Sequence, residues 1–153
     1  MNVTLLLSGK TDIPYLKTGI DDYAGRLRHY MNFKIIELKN SDKVSNAARM
    51  KDSNGILKTL KPSDYLILLD ERGKSYSSVD WARHLESFFV HSSRDIVFAI
   101  GGPFGFSEEE YKRADEMLSL SQMTFSHQLV RLIFMEQLYR AMTIIKGEPY
   151  HHQ

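Results

Sequence analysis

Three groups of residues in the second half of this chain have the types and spacing of a chemical site. The first is Ile96-Val97-Phe98-Ala99-Ile100, a continuous apolar run that ends in Gly101-Gly102-Pro103-Phe104-Gly105. A buried strand running into a glycine loop lets a ligand approach the backbone, because no Cβ stands in the way. The carboxyl ends of parallel strands are where open α/β sheets take small molecules. The loop lacks G-x-G-x-x-G spacing and stands on a late strand, and no Walker lysine follows it, so neither a dinucleotide fingerprint nor phosphoryl transfer is indicated. A tight strand-to-helix turn would use the same glycines, so on its own the loop leaves that reading equally open.

The second group is Ser119-Leu120-Ser121-Gln122-Met123-Thr124-Phe125, where small and polar residues alternate with apolar ones just ahead of a long helix. Free backbone N–H and C=O groups there can read an adenine edge, or the segment is a plain connection. The third group is Arg131, Glu136 and Arg140 with the tail Glu148-Pro149-Tyr150-His151-His152, which gathers cations and an aromatic ring. Arginine and tyrosine together suit a phosphate and a stacked base. For Arg131 and Glu136 the favoured expectation is an ion pair, within the helix or between subunits. His127 is expected to cap or pack at the helix start, and the paired terminal histidines to be solvated. No H-E-x-x-H or Cys/His cluster offers a metal site, and Ser107 stands in no G-x-S-x-G elbow.

The elements that must position these groups alternate along the chain. Residues 3–7 read as a buried strand punctuated by Ser8-Gly9. Asp12 is placed to cap a helix with Pro14 in its first turn, and Leu16, Ile20, Tyr23, Leu27 and Tyr30 carry that helix to about residue 30. Residues 33–38 form a second strand. Residues 40–62 are polar, with Ala47, Ala48, Met50, Ile56, Leu57 and Leu60 at loosely helical spacing before Pro62. Residues 65–69 are apolar throughout, as a central parallel strand is, and Asp70-Glu71-Arg72-Gly73-Lys74 reads as a turn. Residues 79–90 are amphipathic, Ser107 and Glu110 have capping-box spacing, and residues 117–120 make a short strand. The last helix, from residue 127 to about 146, is apolar round most of its circumference, which implies burial on the sheet and against a second subunit. This alternation predicts a three-layer α/β domain with a mostly parallel sheet.

At 153 residues and 42% hydrophobic content the chain is expected to form one domain with a real core. With no cysteine, disulfides and thiolate metal sites are excluded. No basic leader precedes the first apolar run, and no stretch approaches the roughly 20 apolar residues of a membrane span, so a soluble, cytoplasmic protein is expected. The net charge of +1 does not announce nucleic-acid binding. Residues 1–60 nevertheless carry ten Lys/Arg against six Asp/Glu, and the remainder ten against thirteen. A modest basic face on the N-terminal part would suit a phosphate backbone.

Taken in order, Ile100-Gly101-Gly102-Pro103-x-Gly105, Leu120-Ser121-x-Met123-Thr124-Phe125, His127-Gln128-x-x-Arg131, Glu136-Gln137-x-Tyr139-Arg140-Ala141 and Tyr150-His151 resemble the ribosomal large-subunit pseudouridine N3-methyltransferase H family. That is the minimal branch of the SPOUT methyltransferases, and the likeness covers the whole chain, residues 1–153. It implies a deep trefoil knot over about residues 65–153, an exception to the rule against threaded chains. It further implies a homodimer, S-adenosyl-L-methionine bound at the knot, and as substrate a pseudouridine in a 23S rRNA hairpin loop on the assembled 70S ribosome, with no membrane and no metal involved. By this resemblance the cofactor contacts fall on Leu69, Gly101 and the run Leu120, Ser121, Gln122, Met123, Thr124, Phe125. Arg140, Tyr150 and His151 match the positions used around the target nucleotide. Arg140 is the group to stabilise the developing imide anion and His151 a proton acceptor. Ser126 departs from the proline of the family pattern, and His152 from its Arg or Lys. A knotted methyltransferase acting on tRNA, and a non-catalytic ribosome assembly factor, are the alternatives.

Overall fold

Runs of Val, Leu, Ile and Phe long enough for five residues or more can bury both faces of a strand, and this chain lays such runs side by side. A computed structural model describes residues 1–39 and 55–152. Five strands, β1 (Asn2–Ser8), β2 (Asn32–Leu38), β3 (Tyr65–Ser75), β4 (Ile96–Ile100) and β5 (Glu116–Ser119), form one sheet in the order β2-β1-β4-β3-β5. Every pairing is parallel. With it pack the helices α1 (Pro14–Leu27), α2 (Ser78–His91), α3 (Glu108–Arg113) and α4 (Leu129–Ile145), and residues 55–59 are helical as well. The α/β, mostly parallel expectation is met.

The alternating side chains of β1, β3 and β4 feed two cores. Leu5, Leu7, Phe98 and Ile100 face α1, α2 and α4, where Trp81, Phe98 and Phe134 meet with ring centroids 4.9–6.2 Å apart. Leu6, Leu66, Leu68 and Ala99 face the other way, under Ile56, Phe106 and Tyr111. The layers are therefore helices, sheet, and a thinner cover built by residues 55–59 and α3. Ala47, Ala48 and Met50 lie outside the described residues. Helix α4 packs on α1 and α2 within one chain, which accounts for much of its apolar circumference.

Three local expectations are corrected. Asp12 does not cap α1: Ile13 holds the cap position in extended conformation with no side-chain bond, Pro14 opens the helix, and the Asp12 N–H donates to Gln128 Oε1 at 3.2 Å. The helix ends at Leu27, not near Tyr30. Residues 70–74 are not a plain turn. Strand β3 runs on to Ser75, with Leu69 and Lys74 both in register with Leu118 and the intervening residues thrown out of the ladder. The capping box is found as read, with Ser107 Oγ accepting from the Glu110 N–H and Glu110 accepting from the Ser107 N–H.

Gly73 is what lets β3 rejoin β5. A Cβ built there would stand 2.6–2.8 Å from the backbone of Met117 and Leu118, which cannot swing aside as a side-chain tip can. Gly73→Ala is expected to cost about 2–3 kcal/mol as overpacking, read as a melting point lower by about 2–4 °C per kcal/mol. Gly25→Ala is the control, because nothing lies within 4 Å of its Cβ on helix α1. Equal melting points for the two variants would show that β3 and β5 separate freely.

Candidate active site

Plain doubly wound sheets open their ligand crevice between neighbouring strands whose connections leave in opposite directions. Here β1 leads to β2 on one side and β4 leads to β5 on the other, so that crevice lies between β1 and β4. The chain fills it itself. Gln128 Nε2 donates to the Lys10 carbonyl at 3.0 Å. Arg131, 0% exposed, donates from Nη1 to Thr11 Oγ1 at 2.8 Å and from Nη2 to the Ser8 carbonyl at 2.9 Å. Burial pulls the Arg131 guanidinium below its ordinary range, while Glu37 and Asp12 oppose that. The expected Arg131–Glu136 ion pair does not form. Glu136 pairs instead with Arg140, at 2.6 Å. Arg131 and Arg140 are nine residues apart, half a turn apart on the helix at about 100° per residue, so they do not gather on one side.

The open cleft is displaced to the carboxyl ends of β4, β3 and β5. Its volume is about 560 Å³, and it is walled by residues 69–72, the glycine loop and the segment after β5. Of the residues singled out in the sequence, Leu69, Gly101, Leu120, Ser121, Met123, Thr124 and Phe125 line it. Gln122 is exposed and is not among the lining residues. A Cβ on Gly101 would press on Phe106 at 3.3 Å and on the Gly105 carbonyl group at 3.4 Å, so the loop is closed as tightly as glycine allows. Gly105 sits at φ 72°, the left-handed conformation that favours glycine.

Side chains brace the cleft walls. Thr124 Oγ1 donates to Glu71 Oε2 at 2.7 Å, and Ser121 Oγ accepts from the Met123 N–H at 3.0 Å. Ser126, the departure from proline, accepts the Leu129 N–H at 3.1 Å and so supplies a cap at the start of α4. His127 lines the cleft beside Val130. Sequence reasoning missed Asp70, Arg72 and Tyr111, which also line it. Burial works against the Asp70 charge. The Tyr111 hydroxyl at 2.5 Å and the Arg72 N–H at 2.9 Å more than offset that, holding the carboxyl below the usual carboxylate range. Arg72 lies over the Tyr111 ring at 4.6 Å. Reading residues 70–74 as a mere turn hid this triad.

Arg140, Tyr150 and His151 do come together, but elsewhere. Arg140 Nη1 donates to His151 Nδ1 at 3.0 Å, and the guanidinium stands 4.9 Å from the Tyr150 ring centroid. Arginine has only donors, so Nδ1 of His151 accepts, and the ring is held in the tautomer with its proton on Nε2. None of the three residues lines the cleft. Among the described residues no group of three His, Cys, Asp or Glu is placed to hold a metal ion, and no helix is long and apolar enough to cross a membrane.

The fold is thus a parallel α/β sheet with its own last helix in the switch-point crevice and its open cleft on the neighbouring strands. A crystal structure of ribosomal RNA small subunit methyltransferase E from Neisseria gonorrhoeae, bound to S-adenosyl methionine, has the same fold, with a TM-score of 0.52 at 14% identity over 95% of this chain and 66% of that one. The family described as "Predicted SPOUT methyltransferase" matches residues 1–151. Proteins named "Ribosomal RNA large subunit methyltransferase H" from Parabacteroides distasonis, Flavobacterium psychrophilum and Bacteroides fragilis are 48%, 49% and 46% identical, each over 100% of both chains. The chain belongs to the SPOUT methyltransferase family, among the ribosomal RNA large subunit methyltransferases H.

Proposed function

We propose that this chain is an S-adenosyl-L-methionine-dependent methyltransferase of ribosomal RNA, acting in the cytoplasm on N3 of a pseudouridine in a 23S rRNA hairpin loop of the assembled ribosome. The observation that carries the reading is the full-length match, at 48% identity, to a ribosomal RNA large subunit methyltransferase H. The residues fit the cofactor. A cleft of about 560 Å³ is within the range of small-molecule sites, roughly 300–1,000 Å³, and the tight Gly101 loop offers backbone rather than side chain to it. Leu69, Gly101, Leu120, Ser121, Met123, Thr124 and Phe125 would hold the cofactor, with Gln122 in the same run contributing only through its backbone. Asp70, Glu71 and Arg72 in the same walls supply both charge signs for a ligand that is itself a zwitterion with an added positive charge. When bound, the cofactor supplies an activated methyl group on a sulfonium, so the chain's own work is positioning and charge stabilisation.

Arg140 is the cation for the imide nitrogen as it loses its proton. His151 is the proton acceptor in this reading, through Nδ1, which the Arg140 guanidinium holds at 3.0 Å and would have to release as the proton arrives. Tyr150 offers its ring to the base. Geometry argues that these groups serve another chain's cleft. Val130 borders the cleft, and Arg140 lies ten residues further along α4, about 15 Å at 1.5 Å per residue. Methyl transfer needs reacting atoms about 3–3.5 Å apart. A homodimer that seats one tail over the partner's cleft closes that gap.

We also propose that the whole chain is one domain, with a trefoil knot over about residues 65–153. Supporting the knot, the segment after β5 leaves one edge of the sheet, passes the ends of β3 and β4, and docks at β1 through Gln128 and Arg131, while residues 74–75 of β3 stay paired to β5.

The test is methyl transfer from labelled cofactor to 70S ribosomes of a strain lacking the endogenous enzyme, to free 50S subunits and to bulk tRNA, with mass mapping of the product. Label on a 23S pseudouridine, strongest with 70S, is the expected result. Label on tRNA would move the target. Cofactor binding without any transfer would favour an assembly factor.

A further inference from the structure

The catalytic tail has no helix or strand of its own, yet it is held in one place, and the holding groups lie on α1 and in the turn that follows it. Tyr30 Oη donates to Glu148 Oε2 at 2.5 Å. The Tyr23 and Tyr150 hydroxyls share a hydrogen bond of 3.4 Å. Tyr139 on α4 fills the space between, with its ring centroid 5.7 Å from Tyr23, 6.1 Å from Tyr30 and 4.8 Å, edge on, from Tyr150. The exposed guanidinium of Arg26 closes the cluster at 5.5 Å from the Tyr23 ring and 5.4 Å from that of Tyr139. The tail thus has two anchors. Arg140 holds His151 and Tyr150 from α4, while Tyr23 on α1 holds Tyr150 and Tyr30 in the turn after α1 holds Glu148.

We propose that Tyr23 and Tyr30 are positioning residues of the methyl-transfer reaction, latching residues 148–151 to α1 and the turn after it so that Tyr150 and His151 meet the target nucleotide in fixed geometry. The inference rests on the function proposed above and adds to it a role for α1. Its physical content is pre-organisation. A five-residue tail left loose must be ordered each time the nucleotide binds, and that ordering weakens binding. It also misplaces a ring and an imidazole whose positions set the rate. The Tyr30 and Tyr150 hydroxyls stay protonated throughout the working range. The bond to Glu148 pushes Tyr30 up, and burial, helped by the Tyr23 hydroxyl, pushes Tyr150 up to about 12.

Phenylalanine removes each hydroxyl and keeps the ring packing. Tyr23→Phe and Tyr30→Phe are expected to lower kcat/KM for the ribosomal substrate about fivefold each, and further together, with cofactor affinity by calorimetry and melting point unchanged. Amide hydrogen exchange over residues 148–152 is expected to quicken in the free protein. Glu148→Gln keeps an acceptor for Tyr30 and retains the rate, whereas Glu148→Ala falls about fivefold, as Tyr30→Phe does. Wild-type exchange in the double variant would overturn the latch. Faster exchange with unchanged kcat/KM would overturn its part in the reaction. A parent chain that binds cofactor and methylates no ribosomal RNA would overturn the functional reading instead, and the exchange result would still decide whether the tyrosines hold the tail.

Discussion

Arg140→Ala is expected to abolish most methyl transfer and to leave cofactor binding as it was. The guanidinium stands against the Tyr150 ring, and its partners, Glu136 and His151, orient it. Removing a donor aimed at developing negative charge costs about 10²–10³ in kcat. The same substitution costs the fold little, because an i,i+4 ion pair near the surface is worth about 0.3–0.5 kcal/mol. The two magnitudes separate the roles, so an inactive variant with a normal melting curve is the expected result. Cofactor affinity stays level because Arg140 lies along α4 beyond the cleft and none of its atoms lines it. Arg140→Lys keeps charge and loses the fork that engages Glu136 and His151 together, so it recovers only part of the rate. If the site is shared between copies, mixing Arg140→Ala with a chain whose cleft is blocked by Gly101→Val restores activity that neither shows alone. Wild-type turnover by Arg140→Ala would remove the residue from the mechanism.

What the sequence made legible follows from how each signal arises. The apolar runs at residues 65–69 and 96–100 have the length of strands covered on both faces, and their alternation with amphipathic helical segments made the parallel sheet readable. Ser107 and Glu110 were readable because a capping box is local, with both partners within one turn. The failures are long-range. Asp12 has the residue type of a helix cap, but Gln128, 116 positions away, takes its N–H. Residues 70–74 have the composition of a turn, yet Gly73 lets the backbone close onto Met117 and Leu118 so that β3 resumes. That excursion is what turns Asp70, Glu71 and Arg72 into cleft wall. The gathering of Tyr23, Tyr30, Tyr139 and Tyr150 joins α1 to the chain's end and has no local pattern at all.

Arg131 is the clearest of these cases and carries the largest expected effect on stability. In the sequence it stands five residues before Glu136 and reads as half of an ion pair. In the fold it is fully buried, joins α4 to the end of β1, and leaves Nε without a hydrogen-bond partner among the described residues. Two opposing terms decide what happens when it goes. Burying a guanidinium without a contacting carboxylate is costly, as its lowered titration range reflects, and its removal relieves that cost. Against this, alanine leaves a cavity of the kind that costs about 2–5 kcal/mol for a large buried side chain, and orphans the Ser8 carbonyl for about 1–3 kcal/mol more. The cavity and the orphaned carbonyl outweigh the relief. Arg131→Ala is therefore expected to lose at least about 3 kcal/mol, roughly 6–12 °C of melting temperature for a chain of this size. Arg131→Met separates the terms, because it refills the space without the charge, and buried charges replaced by apolar groups of similar volume are often neutral. It is expected to recover most of the loss while leaving the Ser8 carbonyl unpaired. Both variants should also bind cofactor more weakly, since His127 and Val130, which border the cleft, lie within four residues of Arg131 on the same turn-and-helix segment. A melting point for Arg131→Ala within a degree of the parent would mean that α4 is fixed at β1 by Gln128 alone.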